Sequence, residues 1–296
     1  MKIGIPLETI SGETRVAMVP GMVTAFTRLE HEVIIQKNAG ANSFISDDEF
    51  VKAGASIVDD AKSLFAGADV IFKVQPPSTD EVKMMKDGAI YMGYLAPLSN
   101  HETLNAMNAK KVTSFATEFI PRISRAQSMD TLSSMATLAG YKAVLISANH
   151  LGKIFPLLMT AAGSIPPATT FILGAGVAGL QAIATAKRLG SRVEAFDPRP
   201  AVEEQVKSLG ATFVHMEVPE ENVETTGGYA KQQSDAFLIA EQEAIGARLP
   251  KVDVIITTAQ IFGKAAPILI TEEMVKMMRP GSVIVDLAIE GGGNCE

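Results

Sequence analysis

The chain has 296 residues, more than one hydrophobic core commonly organises, so two domains are expected. With 47% hydrophobic and 20% charged residues it has a globular composition, which excludes a disordered or fibrous chain. A net charge of −7 with scattered Lys and Arg argues against a nucleic-acid partner, and the single cysteine, Cys295, excludes an internal disulfide and a thiolate metal site.

The N-terminal MKIGIPLE has no basic segment followed by a long apolar run, and it reads as a first strand instead of an export signal. The most apolar stretches, 143–163 and 169–186, are interrupted by Asn149, His150 and Lys153 or by glycines, so no membrane span is expected. Short β-rich runs at 2–7, 32–36, 70–74, 90–95 and 113–118 alternate with helical patterns. Pro20 and Gly21 open one helix, residues 47–49 cap a second, and Ser99 and Asn100 precede a third. This alternation predicts βαβ units and a parallel sheet, a Rossmann-like domain over 1–123.

From 124 to 149 the pattern turns helical, with Ala126, Met129, Leu132, Met135, Ala136 and Ala139 spaced by three and four. A helical bridge is expected over 124–164, punctuated by Gly163, Pro166 and Pro167. A second alternating array follows, with strands at 169–173, 192–196, 212–216, 252–257 and 282–287. The fold class expected is therefore α/β, two Rossmann-like domains with parallel sheets joined by a helical bridge, the second over 165–296. The polar segment 217–234, holding Gly227 and Gly228, exceeds the ~2–6 residues usual for such connections. It is either a functional lid or a solvated insertion.

The run TTFILGAGVAGL at 169–180 places a strand, a glycine turn and a helix start in the order of the dinucleotide fingerprint. Gly174 permits the tight turn, Gly176 lets the backbone approach a pyrophosphate, and Gly179 lets helix and strand pack closely. Exposed amides and the helix dipole, beginning at Val177, favour the anion. Asp197 ends the next strand, close to the ~20-residue offset of a ribose-binding carboxylate, and would repel a 2′-phosphate. Arg199, two residues on, could instead tolerate that phosphate. The balance points to NAD(H), with Pro198 and Arg199 completing the set around Asp197. Asp286 also ends a strand at the sheet edge where ligands bind, and a structural capping role fits it equally well.

The chain resembles the NAD(H)-binding alpha subunits of proton-translocating NAD(P) transhydrogenases, a family related to alanine dehydrogenases. The resemblance runs along the whole chain and is most specific at 121–130 (PRISRAQSMD), 159–167 (MTAAGSIPP), 227–231 (GGYAK) and 291–295 (GGGNC). It implies that NADH bound here passes its hydride to NADP⁺ on a separate domain or subunit, while a membrane domain couples the exchange to proton movement. It also implies a homodimer at the cytoplasmic, peripheral face of a membrane complex, with no metal. In that family the residues matching Arg122, Gln127, Asp130 and Ser133 surround the reacting nicotinamide. Asp130 and Ser133 can hydrogen-bond a carboxamide, Gln127 can touch ribose, and the spacing 127, 130, 133 predicts one helix face. Tyr229 matches a mobile-loop tyrosine that closes over the nucleotide, and Gly228 and Gln260 match positions that touch it. The family's subunit continues past the segment matching 291–295, so the nucleotide domain is expected to be truncated.

An alanine dehydrogenase-like activity is the alternative, because Arg15 and Lys73 match that family's substrate-binding arginine and lysine. The acid–base histidine of those enzymes corresponds to Ala96, which cannot shuttle a proton. Hydride exchange between two nicotinamides needs no such group, whereas oxidation of an amino acid does. Arg15 and Lys73 are accordingly expected to be structural charges. A binding-only NAD module is the further alternative, separable from a catalytic component by assay.

Overall fold

A computed structural model describes residues 1–216, 234–260 and 263–296. The chain forms two compact units, Met1–Thr131 and Leu132–Glu296. In the first, six parallel strands, β1 (Lys2–Ile5), β2 (Glu32–Gln36), β3 (Ser56–Val58), β4 (Val70–Phe72), β5 (Ile90–Gly93) and β6 (Thr113–Ala116), lie in the order β3-β2-β1-β4-β5-β6. Both faces are covered. Along β2, Val33 and Ile35 enter one apolar cluster and Ile34 the other, the two-residue alternation of a strand buried on both sides. β3 is additional to the expected strands: its three residues, between Gly54 and Asp59, are too few to show a period. The second helix is capped by Ser46, whose amide donates to Glu49, so residues 47–49 form its first turn instead of its cap.

The helical pattern at 124–149 resolves into two pieces. A 3₁₀ helix, Ser124–Met129, ends at Asp130 in an extended conformation (φ −73°, ψ 90°), and the α-helix Thr131–His150 begins after it. Residues 127, 130 and 133 therefore do not share one helix face, because the backbone is interrupted at the middle one. The α-helix lends Ala143 and Val144 to the core of the second unit. An antiparallel hairpin follows, β7 (Leu158–Thr160) with β8 (Gly163–Ile165), which the apolar pattern of 143–163 does not signal.

The second unit also holds five parallel strands, β9 (Thr169–Leu173), β10 (Arg192–Phe196), β11 (Thr212–Phe213), β12 (Val254–Thr257) and β13 (Val283–Asp286), in the order β11-β10-β9-β12-β13. Phe171 and Leu173 pack into one cluster and Ile172 into the other. The α/β class and the parallel sheets are as the alternation predicts. β9 and β12, paired with each other, flank the point where the strand order reverses, and ligands bind at the carboxyl ends of such strands. No helix among the described residues is long and apolar enough to cross a membrane.

Candidate nucleotide site

The chain leaves β9 through Gly174, whose φ of +95° is readily available only to glycine, and enters the helix Val177–Arg188. A Cβ on Gly174 would lie 2.6 Å from Thr258 Oγ1. That hydroxyl donates to the Gly174 carbonyl at 3.2 Å, and the Thr258 amide donates to the Leu173 carbonyl at 2.8 Å. The segment after β12 thus clamps the turn. A Cβ on Gly179 would run into the Gly174 carbonyl oxygen, the close helix–strand contact that this glycine permits. Gly176, the helix N-cap, has nothing within 4 Å of its Cβ position, so its backbone faces open space at the positive end of the helix dipole. Val177, the first helical residue, is exposed there.

Two supports of this turn carry no sequence signal. Gly140, in the helix Thr131–His150, lies so close to Ala178 that a Cβ would strike the Ala178 carbonyl oxygen. Thr258 is the other. In both cases the partner is far away in sequence.

Asp197 is 5% exposed and fully engaged. Its Oδ2 accepts from the Ala175 amide at 2.7 Å and from Arg199 Nη2 at 2.9 Å, and its Oδ1 accepts from the Arg199 amide and Nε, both at 2.9 Å. The carboxylate is thereby tied both to the glycine turn and to a guanidinium held in a two-pronged grip. Pro198 is half-buried between them. Gln260 is exposed, its Nε2 donating to the Leu287 carbonyl at 3.0 Å. Gly228 and Tyr229, with the rest of the expected lid up to residue 233, lie outside the described residues.

The two readings of Asp286 are separated by its bonds. Its Oδ1 accepts from Thr257 Oγ1 and the Ala288 amide, and its Oδ2 from the amides of Asn294 and Cys295. Asn294, with no exposed surface, donates to the carbonyls of Ala259 and Pro267 and accepts from the Ala259 amide. Gly293, at φ +89°, lets the chain pass Asp286. The GGGNC run is a structural knot that fixes the end of β12, and Asp286 is part of it.

In the first unit Arg122 Nε lies 3.5 Å from Asp130 Oδ2, so these two expected site residues come together. Gln127 is exposed. In the second unit Ser133 accepts at its carbonyl from Thr137 Oγ1.

Arg15 and Lys73 are both held by carboxylates. Arg15 Nε and Nη2 donate to the two oxygens of Glu13 at 2.7 and 2.6 Å, and this contact holds Glu13 down at about 2. Lys73, 3% exposed, donates to Glu81 at 2.8 Å and lies 3.5 Å from Glu8. Ala96, beyond β5, sits at φ +47°, its amide and that of Leu95 donating to Glu118 Oε1. Arg15 and Lys73 are thus each paired with carboxylates of the first unit, while Glu118 beside Ala96 keeps its Oε2 buried without a hydrogen-bond partner.

The N-terminal domain of the alanine dehydrogenase/PNT family matches residues 4–139 and its C-terminal domain 143–296. An NAD(P) transhydrogenase alpha subunit from Rhodospirillum rubrum is 50% identical over 301 residues, which take in 100% of this chain and 78% of that protein. An NAD(P) transhydrogenase subunit alpha from Haemophilus influenzae is 46% identical, and the chain spans 57% of its length. An alanine dehydrogenase from Methanococcus maripaludis is 35% identical over 100% of this chain and 74% of its own. Among solved structures, a transhydrogenase from Sinorhizobium meliloti superposes with a TM-score of 0.88 at 43% identity, covering 100% of this chain and 81% of that one. An L-alanine dehydrogenase gives 0.82 at 27%, covering 100% and 76%. With both domains matched along its whole length, the chain belongs to the alanine dehydrogenase/PNT family and is more similar to these transhydrogenases than to these alanine dehydrogenases.

Proposed function

We propose that the chain is the NAD(H)-holding component of an NAD(P) transhydrogenase, exchanging hydride with NADP(H) on a partner domain or subunit. In the complex, a membrane domain couples this exchange to proton movement, and the chain works as a homodimer on the cytoplasmic face. The observation that carries the reading is Ala96, an apolar residue at the acid–base position, in a chain whose dinucleotide turn is intact. A proton-shuttling dehydrogenation lacks the acid–base histidine at that position, while nicotinamide-to-nicotinamide transfer needs none.

The residues present fit the cofactor. A left-handed Gly174, an open Gly176 and a twelve-residue helix behind them suit a pyrophosphate, and Asp197 suits the ribose diol. When bound, NADH supplies the hydride. The chain's own part is positioning. The backbone of 174–177 holds the phosphates, Asp197 with Pro198 and Arg199 holds the adenosine ribose, and Gly228 and Gln260 add contacts. Arg122 pairs with Asp130, and Asp130 and Ser133 fix the carboxamide and the ring face offered. Gln127 orients the ribose, and Tyr229 closes over the nucleotide and excludes water.

Mixed with an NADP(H)-binding transhydrogenase component, the chain is expected to support reduction of a nicotinamide analogue of NAD by NADPH. It is expected to give no oxidation of NADH with pyruvate and ammonium. The opposite pattern would establish the alanine dehydrogenase-like alternative, and nucleotide binding with neither activity would leave a binding-only module.

A further inference from the structure

β12 ends beside β9 at the reversal of strand order, and the chain leaves it through Thr258, Ala259 and Gln260. The excursion that starts here comes back at Pro267, and one side chain closes its base. Asn294 Nδ2 donates to the carbonyls of Ala259 and Pro267, both at 2.8 Å, and Asn294 Oδ1 accepts from the Ala259 amide at 2.9 Å. Both hydrogens of the side-chain nitrogen are thereby used. The main chain of Asn294 is fixed in turn: its amide donates to Asp286 Oδ2 at 2.6 Å, and its carbonyl accepts from the amides of Leu269 and Ile270. A fully buried primary amide is costly unless its hydrogen bonds are made, and here the side chain makes all of them to the two ends of a single loop.

This loop stands on a definite side of the nucleotide site. Asp197 follows β10, and the order β11-β10-β9-β12-β13 puts β10 and β12 on opposite sides of β9. A dinucleotide lies across the reversal of strand order with one half on either side. Thr258 is held by β9 through its own amide, which donates to the Leu173 carbonyl, and its hydroxyl clamps the Gly174 carbonyl. The glycine turn therefore has a support that does not pass through Asn294.

We propose that Asn294 is a positioning residue for hydride transfer, closing the base of the loop 259–267 and so fixing the surface on which the nicotinamide half of the cofactor rests. The proposal rests on Asp197 and the glycine turn holding the adenosine half. Asn294 touches no part of the nucleotide itself. The pyrophosphate and the adenosine ribose are held by 174–177 and Asp197, so the binding of a fragment that lacks the nicotinamide is independent of Asn294. The placement of the ring is not, and a displacement of about 1 Å can cost ~10²-fold in rate. Loss of Asn294 thus separates affinity from reactivity, the reverse of what loss of Asp197 does.

The full chain and Asn294→Ala are compared by calorimetric titration with ADP-ribose and with NADH, by the fluorescence anisotropy of the bound nicotinamide ring, and by hydride transfer to an NADP⁺-loaded transhydrogenase component. For Asn294→Ala, ADP-ribose is expected to bind within about twofold of the wild type, while the anisotropy falls and hydride transfer at saturating NADH drops by about tenfold or more. Equal losses of ADP-ribose and NADH binding would make Asn294 a support of the whole unit and overturn the proposal, as would unchanged anisotropy and rate. A wild type that binds NADH and exchanges no hydride defeats the transhydrogenase reading, and the anisotropy comparison then still decides the role of Asn294. A wild type that does not bind ADP-ribose defeats the reading of Asp197 and the glycine turn, and the proposal with it.

A further measurement needs no variant. In hydrogen exchange of the wild type, NADH should protect the amides of Ala259, Leu269 and Ile270, which bond to Asn294, more than ADP-ribose does, because ring and loop base stabilise each other. Equal protection by the two ligands contradicts the role.

Discussion

At the scale of single residues, Asp197 stands between the glycine turn and Arg199, with both oxygens already taken. Ribose hydroxyls must share those oxygens or displace the guanidinium. Asp197→Asn is expected to weaken NADH binding by about tenfold, the effect of losing a charge-assisted hydrogen bond, and to narrow the preference over NADPH. Unchanged titrations for both nucleotides would remove Asp197 from the site. Glu241, buried in the helix Asp235–Gly246, makes a different prediction, about stability. Burial, and then the negative charge of Asp197, raise its value in the folded chain from 4.5 to about 7, so folding favours the protonated form. The stability that this group contributes is fully present below pH ~4.5 and is lost as pH rises through about 7. Glu241→Gln cannot ionise, so thermal or urea denaturation should show it gaining on the wild type from pH 5 to pH 8, by an amount on the order of 3 kcal/mol. A difference that stays flat with pH would mean that Glu241 is not buried as an acid.

At the scale of elements, the glycine turn is held from three sides: by the helix Val177–Arg188 through Gly179, by the segment after β12 through Thr258, and by the helix Thr131–His150 through Gly140. Gly140→Ala drives a methyl group into the carbonyl of Ala178. It should destabilise the second unit by about 1–3 kcal/mol and weaken nucleotide binding with it, measured by denaturation and NADH titration on the same preparation. Asn294→Ala leaves two carbonyls and an amide unpaired in a buried knot and should cost about 2–4 kcal/mol. A variant with wild-type stability would show that the knot does not hold the end of β12. Gly174, Gly176 and Gly179 are legible in the sequence because each acts on its immediate neighbours. Gly140, Thr258 and Glu241 are not, because their partners lie tens of residues away and nothing local marks them. The single helix face expected for Gln127, Asp130 and Ser133 fails for a local reason: spacing reports a helix face only when the backbone stays helical, and it breaks at Asp130.

At the scale of the whole molecule, the two units carry sheets built alike, with strands entering in the same spatial order apart from the extra edge strand of the first. That architecture is legible because strands buried on both faces read as apolar runs between helical periods, while the three-residue edge strand and the exposed hairpin give no period to read. The fold is shared between hydride exchange and amino-acid oxidation, so it cannot decide between them. The proposed reading turns on a few side chains: Ala96, at the position that the resemblance matches to the acid–base histidine, and Arg15 and Lys73, already bound by Glu13, Glu81 and Glu8. The most direct test of the account uses NADH carrying deuterium at the transferable position, mixed with this chain and an NADP⁺-loaded transhydrogenase component, with the products read by mass spectrometry. The account predicts that deuterium appears in NADPH without dilution by solvent protons. Deuterium lost to solvent, or found instead in alanine when pyruvate and ammonium are supplied, would contradict it.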